Sequence, residues 1–389
     1  MNPKNKILVI CPSFVPPLIG GHKVWTHNLI ENSGLQIDLL TGTIKEGFTE
    51  VSGKNINLIR KKQIFGTNEE IIDPTNIDLI KSYFFILKWL VGIRFSHKYE
   101  VIVVHGFVVL NALVILLCKI MNIKVVGMGN SEEYTLAIYG KNFKSKVQRF
   151  LLKLHKFANA YIVVCHFAKR LLIEYGGQEN RIFVIPSSIN ESKLLTEVTK
   201  KESNNKILSV GRLVERKGFH KLIEAVYKIK DSIPDIQIDI VGDGPYKKQI
   251  EEKIKLLSME KYVSIHSGLD DDELSKLYAN ANLFVLAHMM FENGDTEGCP
   301  TVFSEASGSG LPVIGGTGAG ADTVIIEGVT GFIVDARDTD KLSNRIKKIL
   351  NDKEFAHTLG KSGSEKIKSE HTPTVTGKQF RELIQGLIN

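Results

Sequence analysis

Two α/β domains, each a doubly wound parallel sheet, are what this chain of 389 residues predicts, and three observations carry the prediction. Short β-branched runs alternate with helical stretches through both halves, the pattern of parallel strands covered on both faces. The length exceeds that at which a single core usually stops growing. Near the middle, PSSINESKLLTEVTKKESNN at 186–205 is rich in Ser, Asn and Lys, lacks strand or strong helical periodicity, and reads as the linker. Hydrophobic residues make up 43% of the chain, ample for two cores.

In the first half, Lys6 to Ile10 read as a buried strand. The loop after it, PSFVPPLIGGHK, ends in Gly20 and Gly21 and leads into an amphipathic helix with Val24, Trp25, Asn28 and Leu29. Two glycines let a backbone approach a ligand closely, although a plain turn accounts for the same pair. Further strands are expected at 37–40, 56–59, 101–104, 124–127, 161–164 and 182–185. The stretch FVVLNALVILLCKI is apolar on nearly all sides and too short to span a bilayer, so it reads as a buried core helix. The segment at 141–158 holds Lys141, Lys144, Lys146, Arg149, Lys153 and Lys156 with no acidic residue. Phe143, Val147, Phe150, Leu151, Leu154 and Phe157 recur there at helical spacing. Two readings of this basic amphipathic helix stay open: a surface helix with its apolar face on the sheet, or a contact with anionic lipid headgroups or a lipid-linked phosphate.

The second half restarts with KILSVG, followed by IQIDIVG, YVSIHSG, LFVLA, PVIGG and GFIVD. In VGRLVERKGFHKLIEA, Gly211 and Arg212 lie just past a strand end and Lys217 at the entry to the next helix, where ligands of open α/β sheets bind. Arg212 would clamp phosphate oxygens through two donors and Lys217 would add a mobile point charge, unless both serve surface solubility. Gly242 sits in a tight turn after the second of these strands. In FENGDTEGCPTVFSEASGSGLPVIGG, Pro300 places a helix start, because proline is favoured in a first turn. The N–H groups of Thr301, Val302 and Phe303 would then form an anion site backed by the helix dipole. Glu297 and Glu305 flank that start and suit sugar hydroxyls better than a second phosphate, although a loop charge and a solvated helix residue would look the same. Asp270, Asp271 and Asp272 cap a helix more readily than they form a metal site. The match of Gly316, Gly318 and Ala321 to a dinucleotide fingerprint is weak, since it does not follow the first strand of a βαβ unit.

Charge separates the halves. Residues 1–190 carry 23 basic and 13 acidic residues, a balance of +10, whereas residues 191–389 carry 27 and 30, a balance of −3. The first half should therefore meet something anionic. A nucleic acid is disfavoured, because no recognition motif or aromatic interleaving accompanies the charge. Cys11, Cys118, Cys165 and Cys299 have neither metal-ligand spacing nor a disulfide framework, which fits a reducing compartment. No apolar run reaches the roughly 18 to 20 residues of a bilayer span, and KILVIC is too short for a signal peptide, so a cytoplasmic location is expected.

The stretch EGCPTVFSEASGSGLPVIG, with Glu297 and Glu305 eight positions apart, resembles the E-x7-E signature of retaining GT-B glycosyltransferases of the family 4 group. The resemblance runs from the glycine pair to GVTGFIV at 328–334 and is best in the second half. It implies two Rossmann-like domains facing a cleft, an acceptor-side domain at 1–190, a donor domain at 191–372, and a helix at 373–389 crossing back to the first domain. It implies a UDP- or GDP-linked sugar as donor substrate, with no cofactor and no metal. Glu297, Arg212 and Lys217 become the catalytic candidates. Gly20, Gly21, Gly211, Gly242, His266, Leu269, Gly298, Pro300, Thr301, Val302 and Glu305 become donor contacts, with the backbone near His266 reading the base.

Members of that family usually carry a histidine in a T-x-H-G stretch after the fifth strand. Here GMGNSEEY puts Gly129 at that place and Asn130 at the next. His105, Asn130, Glu132 and Glu133 are the remaining acceptor-side candidates. The P-N-G stretch before the linker is likewise altered, to Pro186, Ser187 and Ser188. The expected activity is hexose transfer with retention to a saccharide, lipid-linked at the inner face of the plasma membrane. The alternative is a catalytically silent subunit that binds the nucleotide sugar.

Overall fold

The computed structural model describes residues 6–12, 14, 21–42, 53, 55–64, 77–94, 99–191, 194 and 205–389. Gly20 and most of the linker, including 195–204, lie outside the described residues. The chain forms two compact units, Met1–Ser187 with Pro373–Asn389, and Ser188–Thr372.

Unit 1 contains β1 (Ile7–Ile10), α1 (Gly21–Asn32), β2 (Ile37–Thr41), β3 (Ile56–Arg60), α2 (Ile77–Arg94), β4 (Val101–His105), α3 (Val108–Met121) and β5 (Lys124–Gly129). It continues through α4 (Ser131–Tyr139), α5 (Phe143–Leu152), β6 (Ala160–Val163), α6 (His166–Glu174) and β7 (Ile182–Val184). All its strand pairs are parallel, in the order β3-β2-β1-β4-β5-β6-β7. The central strands β1 and β4 are buried along their whole length, as the unbroken apolar runs require. The chain moves one way along the sheet from β1 to β3 and the other way from β4 to β7. Right-handed crossovers therefore put α1 on one face and α2, α3 and α5 on the other. There α3 packs between α2 and α5.

Two expectations for that layer are corrected. Helix α3 buries Leu110, Val114, Ile115 and Cys118, but Leu116 is 36% and Ile120 74% exposed, so it is not a fully enclosed core helix. In α5 the apolar stripe does not lie on the sheet: Phe143 is 82% and Phe150 66% exposed. Ser145, Leu152 and His155 point inward instead. The helix also ends early, since Lys153–Phe157 tighten into a 3₁₀ turn that swings His155 under α3.

Unit 2 contains β8 (Lys206–Val210), α7 (Phe219–Tyr227), β9 (Gln237–Val241), α8 (Lys247–Leu256), β10 (Val263–His266), α9 (Asp271–Asn280) and β11 (Leu283–Leu286). It ends with α10 (Thr301–Gly308), β12 (Val313–Gly315), β13 (Gly331–Ile333), α11 (Thr339–Asn351) and α12 (Lys353–Glu370). Its six parallel strands run β10-β9-β8-β11-β12-β13, reversing direction between β8 and β11. The final helix, α13 (Pro373–Ile388), belongs to unit 1 and packs on α1. Gly377 permits that approach, because a Cβ there would lie 2.4 Å from the Asn32 carbonyl oxygen. Arg381 then donates to the Ser33 carbonyl at 3.2 Å.

Candidate functional site

The sheet of unit 2 splits its crossovers between β8 and β11, which opens a crevice at their carboxyl ends. The turn after β8 and the long loop after β11 meet in that region. Arg216 donates from Nε to Glu297 Oε1 at 2.8 Å, and Lys217 donates from Nζ to Glu297 Oε2 at 2.8 Å. Arg216 also faces Asp295 at 3.4 Å, and its carbonyl accepts the Met289 N–H. Burial alone would raise the Glu297 carboxyl, but Lys217 and Arg216 together hold it below the usual range, so it stays ionised.

Three sequence expectations change here. Lys217 is not a mobile charge: it is 9% exposed and fixed by Glu297, because the turn Glu215–Lys217 closes onto Gly218, whose φ of 71° starts α7. Glu297 is not an open acceptor for hydroxyls, since both oxygens already bind cations that compensate its burial. Arg212 is exposed and lies outside this ion cluster, with its carbonyl accepting the Val214 N–H. Arg216, not among the candidates the sequence offers, supplies the guanidinium at Glu297. Its place directly before Lys217 was the available signal.

The loop carrying Glu297 is laced to the glycine-rich loop after β12. Thr296 donates to the Gly318 carbonyl at 2.6 Å, and Gly320 N–H donates to the Gly298 carbonyl at 2.8 Å. Pro300 takes the N-cap position of α10, with Thr301 the first helical residue. Phe303 N–H turns back to the Pro300 carbonyl at 3.1 Å, which narrows the expected trio of helix-start donors to Thr301 and Val302. Glu305 is half-buried and accepts from Tyr278 Oη at 3.1 Å. Burial and then Glu305 push the Tyr278 phenol well above its ordinary value, so it remains a donor.

His288, at the end of β11, was missed altogether. It is fully buried, its Nδ1 lies 3.2 Å from both the Leu286 carbonyl and the Gly316 nitrogen, and Nε2 has no hydrogen-bond partner among the described residues. Burial lowers it to about 4, with Glu297 opposing and Lys217 reinforcing the shift, so it is neutral at pH 7. A lone histidine after a strand gave no signal in the sequence.

The remaining donor candidates pack the same strand ends. A Cβ at Gly242 would lie 2.0 Å from the Gly211 carbonyl oxygen, so Gly242 lets the ends of β8 and β9 close up, while a Cβ at Gly211 would meet the Lys217 side chain at 3.3 Å. His266 Nε2 lies 2.8 Å from Asp239 Oδ1, and its carbonyl accepts the Gly242 N–H. Leu269 packs against the unit 2 core. Asp270 caps α9 through a capping box with Glu273. Among the described residues no group of three or more His, Cys, Asp or Glu could hold a metal ion.

In unit 1 the acceptor-side candidates fall at the ends of β4 and β5. His105 is 3% exposed, hydrogen-bonded to Thr26 and edge-on to Trp25 at 5.3 Å, so α1 covers it and it is not presented to a solute. Asn130 takes the N-cap position of α4 without a side-chain cap, and Glu132 and Glu133 form the first turn. Burial, and then Glu132, push the Glu133 carboxyl well above the usual range. Gly21 opens α1. A Cβ at Gly129 would lie 2.0 Å from Tyr134 Oη. Tyr134 packs edge-on to Tyr161, whose hydroxyl accepts from Asn111 at 2.9 Å, and His155 stacks on Tyr161 at 4.9 Å.

Residues 190–366 match the model of glycosyl transferases group 1, and residues 29–193 match that of glycosyltransferase family 4. The chain belongs to the family 4-like GT-B glycosyltransferases. Among relatives of this family, a GDP-mannose-dependent alpha-(1-6)-phosphatidylinositol monomannoside mannosyltransferase of Mycolicibacterium smegmatis is 30% identical over 181 residues, 46% of this chain and 47% of its own. A putative colanic acid biosynthesis glycosyltransferase of Escherichia coli is 27% identical over 183 residues, 46% of this chain and 45% of its own. These matches span about half the length of either relative. In fold, the chain is similar to sucrose-phosphate synthase from Thermosynechococcus elongatus, with TM-score 0.76, 20% identity and 98% of each chain covered. It is also similar to HepE of Anabaena in complex with UDP, with TM-score 0.71, 17% identity, and 98% and 100% covered.

Within the family, the departure at Gly129 now has a physical cause. Tyr134 occupies the space that any side chain at 129 would need. The expected histidine is therefore excluded by packing, and the position belongs to an aromatic cluster instead.

Proposed function

We propose that the chain transfers a hexose from a nucleotide-diphosphate sugar to a saccharide acceptor, with retention of configuration and without a metal. One observation supports this above all: a buried carboxylate, Glu297, held by Arg216 and Lys217 at the strand ends that also bring in the α10 start. The donor diphosphate would be neutralised by Lys217, Arg212 and the N–H groups of Thr301 and Val302 as the glycosidic bond breaks. Arriving phosphate charge would compete with Glu297 for Lys217 and Arg216, freeing a carboxylate oxygen for a sugar hydroxyl. The relatives named for a phosphatidylinositol mannoside and for colanic acid biosynthesis support glycolipid or polysaccharide assembly. A lipid-linked acceptor at the inner face of the plasma membrane fits the basic first half. No helix among the described residues is long and apolar enough to cross a membrane.

A second reading, a silent subunit that binds nucleotide sugar, is favoured by Tyr134 filling the place of the family histidine. One experiment decides between them. The chain is incubated with GDP- and UDP-hexoses and with lipid-linked and water-soluble acceptors, with and without EDTA. Product formation with an α-linkage from an α-donor, unaffected by EDTA, is the expected result. Donor binding without transfer or hydrolysis leaves the silent subunit, and activity restored only by Mn²⁺ or Mg²⁺ removes metal independence.

A further inference from the structure

The exposed apolar residues of this chain are not scattered. Of the eighteen large hydrophobics exposed among the described residues, ten lie on α2, α3, α5 and the turn that follows α5. These three helices form one continuous layer on a single face of the unit 1 sheet. Between α2 and α3 runs an open groove of 560 Å³ lined by Phe84, Leu87, Val91, Leu113, Leu116 and Ile120, with Lys88 beside it. Phe84 is 73% and Ile120 74% exposed, as open as a side chain at the tip of a loop. A patch of this kind on a layer of regular helices marks an interaction surface.

Charge decides what the surface meets. The described part of these helices and the following turn carries Lys81, Lys88, Lys119, Lys144, Lys146, Arg149, Lys153 and Lys156 against one acidic residue, Asp78. Asp78 is itself paired with Lys81. A second copy of the chain would bring two such cationic faces together, which repel. An anionic surface with an apolar layer beneath it satisfies both features at once: lysines reach headgroups while phenylalanine and isoleucine enter the acyl boundary.

We propose that the outer face of the α2–α3–α5 layer is a monotopic docking surface for a bilayer of anionic glycerophospholipid. The α2–α3 groove and Phe143 and Phe150 of α5 form its inserted part, and the lysines form its rim. The proposal takes its purpose from the lipid-linked acceptor reading. It goes beyond the basic amphipathic segment at 141–158, because it adds α2 and the exposed side of α3 to the surface and leaves α5 no packing role for Phe143 and Phe150. Arg149 is not part of the rim: it donates to the carbonyls of Ala137 and Gly140 and closes the end of α4.

The test sediments the full chain with phosphatidylcholine vesicles, with and without phosphatidylglycerol, at low and high salt. Wild type should sediment with the anionic vesicles only. Phe84→Ser with Ile120→Ser should lower partitioning about tenfold or more at both salt levels, and Lys144→Gln with Lys146→Gln and Lys153→Gln about tenfold at low salt alone. These side chains are exposed or half-buried, and circular dichroism of each variant should match wild type. If the groove variant sediments like wild type, or neutral and anionic vesicles bind equally, the proposal falls. A wild-type dimer in gel filtration that the groove variant dissociates would assign the face to a second copy and overturn it as well. Transfer to lipid-linked and soluble acceptors is measured in parallel. Vesicle binding as described with transfer only to a soluble acceptor would sink the acceptor reading and leave the docking surface standing.

Discussion

Each unit buries a glutamate near the carboxyl ends of its sheet, and the two are handled in opposite ways. In unit 2, Glu297 is enclosed together with Arg216 and Lys217, which keep its pKa low despite burial. In unit 1, Glu133 is enclosed with Oε2 unpartnered among the described residues, and burial drives it up towards the neutral acid. Basic residues of unit 1 crowd the outer α2–α3–α5 layer, although Lys23 of α1 is 3% exposed. Unit 2 thus concentrates compensated charge at a site suited to a dianionic leaving group, whereas unit 1 raises Glu133 by burial and carries much of its basic charge on the outer helical layer.

The largest effect that would break this comparison is at Lys217. Lys217→Ala should lower transfer by about two or more orders of magnitude, since about 3 kcal/mol of charge stabilisation is lost in the transition state. It should also destabilise unit 2 by about 3 kcal/mol, because a buried pair loses one partner. Arg212→Ala should lower transfer without that loss of stability, as Arg212 is exposed. Equal urea midpoints for the two variants would show that the Glu297 pair is not a structural one.

A histidine restored at 129 tests unit 1 from the packing side. Gly129→His should destabilise the unit by about 1–3 kcal/mol through overpacking against Tyr134 and should not raise transfer. Tyr134→Ala in the same chain should relieve much of the strain. Gain of activity in the single variant would mean that Tyr134 moves aside, and that the family histidine was lost for another reason.

Acid should weaken both units through neutral buried histidines. Burial lowers His288 in unit 2 to about 4 and His155 in unit 1 to about 3. The unfolded chain therefore takes up protons first as pH falls below about 6.5, and stability drops by about 2 kcal/mol per histidine between pH 7 and 5. Chemical denaturation at those two pH values checks this. His155→Phe should flatten the response of unit 1 only.

The smallest expected change has the opposite sign. Because burial raises the Glu133 carboxyl above its ordinary value and so penalises its charged form, Glu133→Gln should stabilise unit 1 at pH 7, on the order of 1 kcal/mol. The gain should vanish towards pH 4. Glu297→Gln should show no such gain, and a shared pH dependence would erase the contrast between the units.

The strands, their order of alternation and the α10 start at Pro300 were all written in local pattern. Continuous apolar runs admit few arrangements other than buried parallel strands, and proline fixes a first turn by its own ring. Glu297 and Lys217 were legible because each lies in a short run before a helix start, EGCPT before α10 and ERKG before α7. What local pattern does not contain is which side chain meets which across the sheet. Arg216 rather than Arg212 reaches Glu297, His288 enters the same site, and Tyr134 claims the space at Gly129. The Arg216–Glu297 pairing joins residues 81 positions apart, and the two shorter ones depend on how the chain turns between their members. Periodicity likewise located the apolar stripe of α5 but not its direction, because helical spacing defines a face and only neighbours decide whether that face is covered. With α3 taking Ser145, Leu152 and His155 as the inner side, Phe143 and Phe150 were left outside.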